Sequence, residues 1–157
     1  MQDDSLEPDE IRRLVHELGE AGGARIASSV EVARLRDFFG RRVLRQYPDA
    51  YIQRKYDQHV VERQEWPDDT TPEDYLESLR ETVLDAHSSI YLAVHDDESD
   101  WSIYFVGSVR RSWRGRRGAD HLFVAFNAQQ HFLITGFQPP DGDRYVERQG
   151  GFWVRER

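Results

Sequence analysis

No cysteine occurs among the 157 residues, which removes disulfides, thiolate metal sites and a cysteine nucleophile. Lysine is almost as scarce, since Lys55 is the only one and arginine carries nearly all the positive charge. No apolar run approaches the ~20 residues of a membrane-spanning helix. The opening Met1-Gln2-Asp3-Asp4-Ser5 has neither the basic start nor the apolar stretch of an export signal. These absences predict a cytoplasmic chain with no membrane partner. What is present suffices for one core under a heavily solvated surface: 38% hydrophobic and 32% charged residues, at a length usual for one domain.

The net charge of −8 argues against a protein that coats nucleic acid, because phosphate binding draws largely on Lys and Arg. The two halves differ, however. Through Asp100 there are 24 acidic against 12 basic residues, and from Trp101 onward 5 against 9. Arg110, Arg111, Arg114, Arg116 and Arg117 crowd into one short stretch of that second half.

Hydrophobic spacing predicts an α+β chain, with N-terminal helices followed by a four-stranded, mainly antiparallel sheet. Ile11, Leu14, Val15 and Leu18 recur at helical intervals behind Pro8. Ser28-Ser29-Val30-Glu31 matches a capping box, so a second helix starts there with Val32, Leu35, Phe38, Phe39 and Val43 on its apolar side. Pro48 closes it, and Asp49 caps a third helix running roughly from Ala50 to Arg63. Thr71-Pro72-Glu73-Asp74 opens the fourth, which turns Tyr75, Leu76, Leu79 and Val83 inward. Strands are expected at Ile90 to Val94, Trp101 to Val109, Leu122 to Phe126 and Phe132 to Phe137, with hairpin loops at Asp96 to Asp100 and Asn127 to Gln130. Arg110 to Gly118 reads as an exposed loop, and Tyr145 to Trp153 as an edge strand or a tail. Residues 1–48 form a helical extension and residues 49–157 the α+β domain proper, packed as one unit.

Three features carry chemistry. Tyr51, Lys55, His59 and Arg63 recur every four residues, which places them along one face of a helix. Cations around His59 favour its neutral form, the state of a general base, and suit a phosphate. The same residues also fit a solvated face beside the core stripe Ile52, Tyr56 and Val60. Second, Arg110 and Arg111 end a strand and lead into Arg114; guanidinium groups fork onto phosphate oxygens, although a run of charge is as often plain surface. Third, Thr135 places a hydroxyl in the apolar strand Phe132-Leu133-Ile134-Thr135-Gly136-Phe137. There it needs a partner, and Gly136 offers a ligand close approach; Thr is equally an ordinary strand residue. No metal or other cofactor is expected: His121 and His131 fall on different strands, and Asp96 to Asp100 lacks the calcium-loop pattern. Tyr51, Tyr104 and Trp113 are candidates for stacking on a base.

A helix bearing His59-Val60-Val61-Glu62-Arg63, an intervening segment with Tyr75-Leu76, and four strands ending in Leu133-Ile134-Thr135-Gly136-Phe137 together resemble the barnase, EndoU, colicin and RelE-like ribonuclease group, in its phage-associated and polymorphic-toxin branches. The resemblance covers roughly residues 49–138. It implies a helix packed on a four-stranded antiparallel sheet and metal-independent endonuclease cleavage of RNA, such as tRNA or rRNA, by 2′-hydroxyl attack. It further implies an antitoxin or immunity protein as partner. By position, His59 matches the acid/base, Thr135 the hydroxyl of the last strand, and Arg63 and Arg110 the cations on the phosphate. The chain departs from the group in its acidity, and spacing singles out no second histidine among His87, His95, His121 and His131. Apart from the resemblance, an acidic helical half joined to a basic sheet half also suits a non-catalytic binding, accessory or immunity protein that docks by charge.

Overall fold

Two reciprocal caps set the helical layer. Ser28 Oγ accepts the Glu31 amide at 3.1 Å while Glu31 Oε1 accepts the Ser28 amide at 3.0 Å. Thr71 and Asp74 repeat the exchange at 3.0 and 3.2 Å, satisfying donors that a helix start leaves free. The computed structural model describes residues 6–45, 50–94 and 101–156. It places α1 at Leu6–Ala21, α2 at Ser29–Arg45, α3 at Ala50–Tyr56 and α4 at Pro72–Leu84. The expectations for Pro48, Asp49 and the Asp96 to Asp100 loop lie outside the described residues. All the apolar positions predicted for the first, second and fourth helices are buried. Arg36 of α2 ties α4 down at its far end, donating to Ser88 O at 2.6 Å and Val83 O at 3.4 Å. A cation there also suits the negative end of the helix dipole.

The sheet consists of β1 (Ser89–Val94), β2 (Trp101–Ser108), β3 (His121–Asn127), β4 (Leu133–Phe137) and β5 (Phe152–Val154), in the order β4-β3-β2-β1-β5 with every pair antiparallel. It is therefore five-stranded rather than four-stranded. The stretch predicted as an edge strand or tail divides into a short helix, α5 (Gly142–Arg148), and β5. Three residues are too few for β5 to display a period of two, so only its pairing with β1 reveals it. Both sheet faces are covered, which explains why the strands read as continuous apolar runs instead of alternating ones. On one side Phe39 of α2 meets Phe126 and Phe105, ring centres 4.9 and 5.9 Å apart. That core joins Ile11 of α1 to Leu79 of α4 and Leu133 of β4. On the other side Tyr91, Tyr104 and Phe123 pack with Val146 of α5. Among the described residues, no helix is long and apolar enough to cross a membrane.

Candidate functional site

The third helix does not run as an α-helix to Arg63. After Tyr56 it widens into a π-helical turn, Asp57–Glu62, and the Arg63 amide reaches back five residues to Gln58 O at 3.0 Å. Such turns gather at functional positions. The widening changes which way the side chains face. Lys55 still lies over the Tyr51 ring at 5.2 Å, but His59 is rotated inward to 4% exposure while Arg63 stays exposed. The single face expected of Tyr51, Lys55, His59 and Arg63 is thus split.

Gln64 then takes a left-handed conformation, φ 56°, and the Glu65 amide closes onto His59 O at 3.0 Å. This reversal folds the Glu65 carboxylate under the ring, with Oε2 3.0 Å from His59 Nδ1. Its other oxygen accepts the Gln138 amide at 2.7 Å. The Gln138 side chain carries the network onward, accepting from Ala119 N at 3.0 Å and donating to Trp113 O at 2.9 Å. On the far side of the ring, Nε2 lies 3.4 Å from Thr135 Oγ1, at the long limit of a hydrogen bond. Phe137 stacks on the imidazole at 5.7 Å. Glu65 accepts at Nδ1, so the proton belongs there in the neutral ring, leaving Nε2 as an acceptor toward Thr135. Sequence reasoning expected cations against His59; the structure supplies a carboxylate.

The arginine loop is fastened to this same reversal. Gly115 N donates to Glu65 O at 3.0 Å and Arg117 N to Gln64 O at 2.9 Å. A Cβ on Gly115 would stand 2.2 Å from Trp66 O, so the approach depends on glycine. Arg63, Arg116 and Arg117 consequently lie on adjoining backbone, exposed, with no ion pair among the described residues. Gly115→Ala is expected to cost about 1–3 kcal/mol, because the obstruction is backbone. A lowered urea midpoint with an unchanged slope, together with faster exchange of the Arg117 amide, is the expected result.

The remaining candidates are placed elsewhere or already engaged. Arg110 pairs with Glu81 of α4 at 3.1 Å and lies over Trp113 at 4.7 Å. Arg114 is bound to Asp120, and Arg111 is exposed in the short 3-10 turn Arg111–Trp113. Tyr104 is 4% exposed beneath the second sheet face, which closes it to a stacking base. Gly136 admits α4 rather than a ligand: a Cβ there would lie 2.3 Å from Leu79. Burial pushes the Tyr75 phenol upward, so it stays protonated and donates to Gly136 O at 2.5 Å. Glu65 and Gln138 were missed from sequence, because neither belongs to a periodic or motif pattern. His87 is exposed, His95 lies outside the described residues, His121 is half-buried, and His131 is buried away from this network.

No protein-family model matches the chain, and no curated protein or solved structure matches it at a significant level.

Proposed function

We propose that the chain is a metal-independent endoribonuclease of toxin or phage-associated type, working where His59 meets Thr135. The observation that carries this reading is their 3.4 Å approach from positions 76 residues apart, on the helix and strand where the resemblance calls for an acid/base and a hydroxyl. Glu65 orients the ring, as a base requires. In this scheme His59 Nε2 takes the proton of the 2′-hydroxyl, whose oxygen attacks phosphorus. The imidazolium returns the proton to the departing 5′-oxygen, leaving a 2′,3′-cyclic phosphate and a 5′-hydroxyl. Thr135 donates to a phosphate oxygen. Arg63, Arg116 and Arg117 hold the charge in place of Arg110, which Glu81 occupies. Arg111, Arg114, Lys55 and Tyr51 border the strand's path, and an antitoxin or immunity protein is the implied partner.

The 4% exposure of His59 favours a second reading, in which the imidazole is a buried pin and the arginine corner binds RNA without cutting it. A basic partner then fits the opposite charge of the cleft beside α4, about 300 Å³ and lined by Asp69, Asp74, Glu77 and Glu81. Incubation of the pure protein with labelled tRNA and rRNA in EDTA separates the two. Cyclic-phosphate products, reduced about 10²–10⁴-fold in a folded His59→Ala variant, are the expected result. RNA retained in a salt-dependent way without product supports the second reading. A His59→Ala variant that cuts as fast as the parent removes His59 from the chemistry, and absence of both cutting and binding overturns both readings.

A further inference from the structure

We infer that the turn joining β3 to β4 is an acid-released latch, in which His131 fastens the hairpin to α1 and α2 while neutral and lets it go when protonated. The turn is held from two sides. Within it, His131 N donates to Asn127 O at 2.7 Å, and Asn127 Oδ1 accepts the amides of Gln129 and Gln130 at 2.9 and 2.8 Å. From the helices, Arg12 Nε of α1 donates to Gln129 O at 2.8 Å, and Arg42 Nε of α2 reaches His131 O at 3.4 Å. The imidazole is the bolt. It lies edge-on to Phe38 and Phe39, ring centres 4.7 and 5.8 Å away, and is 2% exposed.

Two features make this an expensive way to fill a gap. His131 holds φ 67°, a left-handed conformation that is strained in a residue other than glycine. Its Nε2 is buried with no hydrogen-bond partner, and leaving such a group unsatisfied is a second cost. An apolar side chain would fill the space between two phenylalanines without that second cost, so packing alone does not account for a histidine. What histidine adds is a proton acceptor facing an apolar wall. The ring's other nitrogen is already bonded to the Ala128 carbonyl, so a proton on Nε2 creates a buried cation whose new N–H finds no acceptor and which faces the Arg12 and Arg42 guanidinium groups. Among the described residues Asp9 of α1 is the one acid acting on it, and it is already paired with Arg12. The remaining neighbours from the turn and sheet bring no charge among the described residues. Burial first, then Arg12 and Arg42, push the ring down to about 4.

The sign follows from the two states. Above pH 6.5 the ring is neutral whether docked or free, and the latch is closed. Between about 6.5 and 4 the free ring binds a proton that the docked ring refuses, so opening becomes easier as pH falls. Between pH 7 and pH 5 the open fraction rises about 20-fold for a free ring of ordinary pKa. The test is hydrogen exchange of residues 127–133 in the full chain at pH 7 and 5, corrected for intrinsic rates, beside His131→Asn, a residue that tolerates positive φ and does not titrate. A loss of protection of about 20-fold in the parent, absent from the variant, is expected. Equal protection of the parent turn at both pH values, or an equal loss in the variant, overturns the latch. Should His131→Asn fail to fold, the parent decides alone. Its His131 Cε1 proton must titrate below pH 5 by NMR, and a midpoint near 6.5 with an unmoved turn is fatal to the inference.

Discussion

Replacing Glu65 with alanine will lower the stability of the fold by about 3–5 kcal/mol, among the largest effects available to a single polar residue here. The side chain is 5% exposed and serves two buried groups at once, the His59 imidazole at 3.0 Å and the Gln138 amide at 2.7 Å. Alanine leaves both facing a cavity that is closed to solvent, and the loss of hydrogen bonding is then not recovered from water. Glu65→Gln is the informative companion. Its carbonyl accepts from one of the two donors, but its amide nitrogen is then turned toward the other. It should therefore fall between parent and alanine in urea unfolding. An alanine variant within 1 kcal/mol of the parent would mean that water or a shifted backbone replaces the carboxylate, and that His59 is not held by it. The orientation of His59, and with it the proposed chemistry, rests on the same contact.

The second large effect belongs to Trp66. The ring is 1% exposed, sits edge-on to Tyr75 at 4.9 Å, and donates its indole N–H to Ser78 Oγ at 3.1 Å. Trp66→Ala removes that volume from the junction of α4 with the reversal at residues 63–66, at a cost of about 3–5 kcal/mol. Trp66→Phe keeps most of the packing and gives up the hydrogen bond, about 1 kcal/mol. The carbonyl of Trp66 is also the wall against which Gly115 rests. Loosening it frees the arginine loop; under the proposed function, Trp66→Ala then binds RNA more weakly, with a shallower salt dependence than Trp66→Phe. If the two variants bind alike at equal folded fraction, the loop is not positioned through Trp66.

The gap between what was legible in the sequence and what was not follows the range of the forces. The Ser28–Glu31 capping box and the helix start at Thr71-Pro72-Glu73-Asp74 were readable because their signals act within three residues. The buried faces of α1, α2 and α4 were readable because each repeats its apolar residues with the helical period. The π-helical turn had no such mark. Asp57-Gln58-His59-Val60-Val61-Glu62 continues the pattern of the helix before it, and its register changes only where the reversal at Gln64 and the edge strand β4 pull His59 inward. The pairing of β5 with β1 is likewise hidden in a segment too short to show alternation.

The sequence by itself determined an α+β chain of capped amphipathic helices and buried antiparallel strands, and it marked His59 as a candidate base and Thr135 as a hydroxyl needing a partner. Tertiary structure decided who the partners are. It set Glu65, not a cation, against the imidazole, gave Arg110 to Glu81, and placed the arginine loop against the end of the third helix. Local order is encoded by neighbours three or four residues away, whereas these contacts join positions tens of residues apart. Such contacts exist only after the core has closed, and excluding water gives each buried polar group one place to bond.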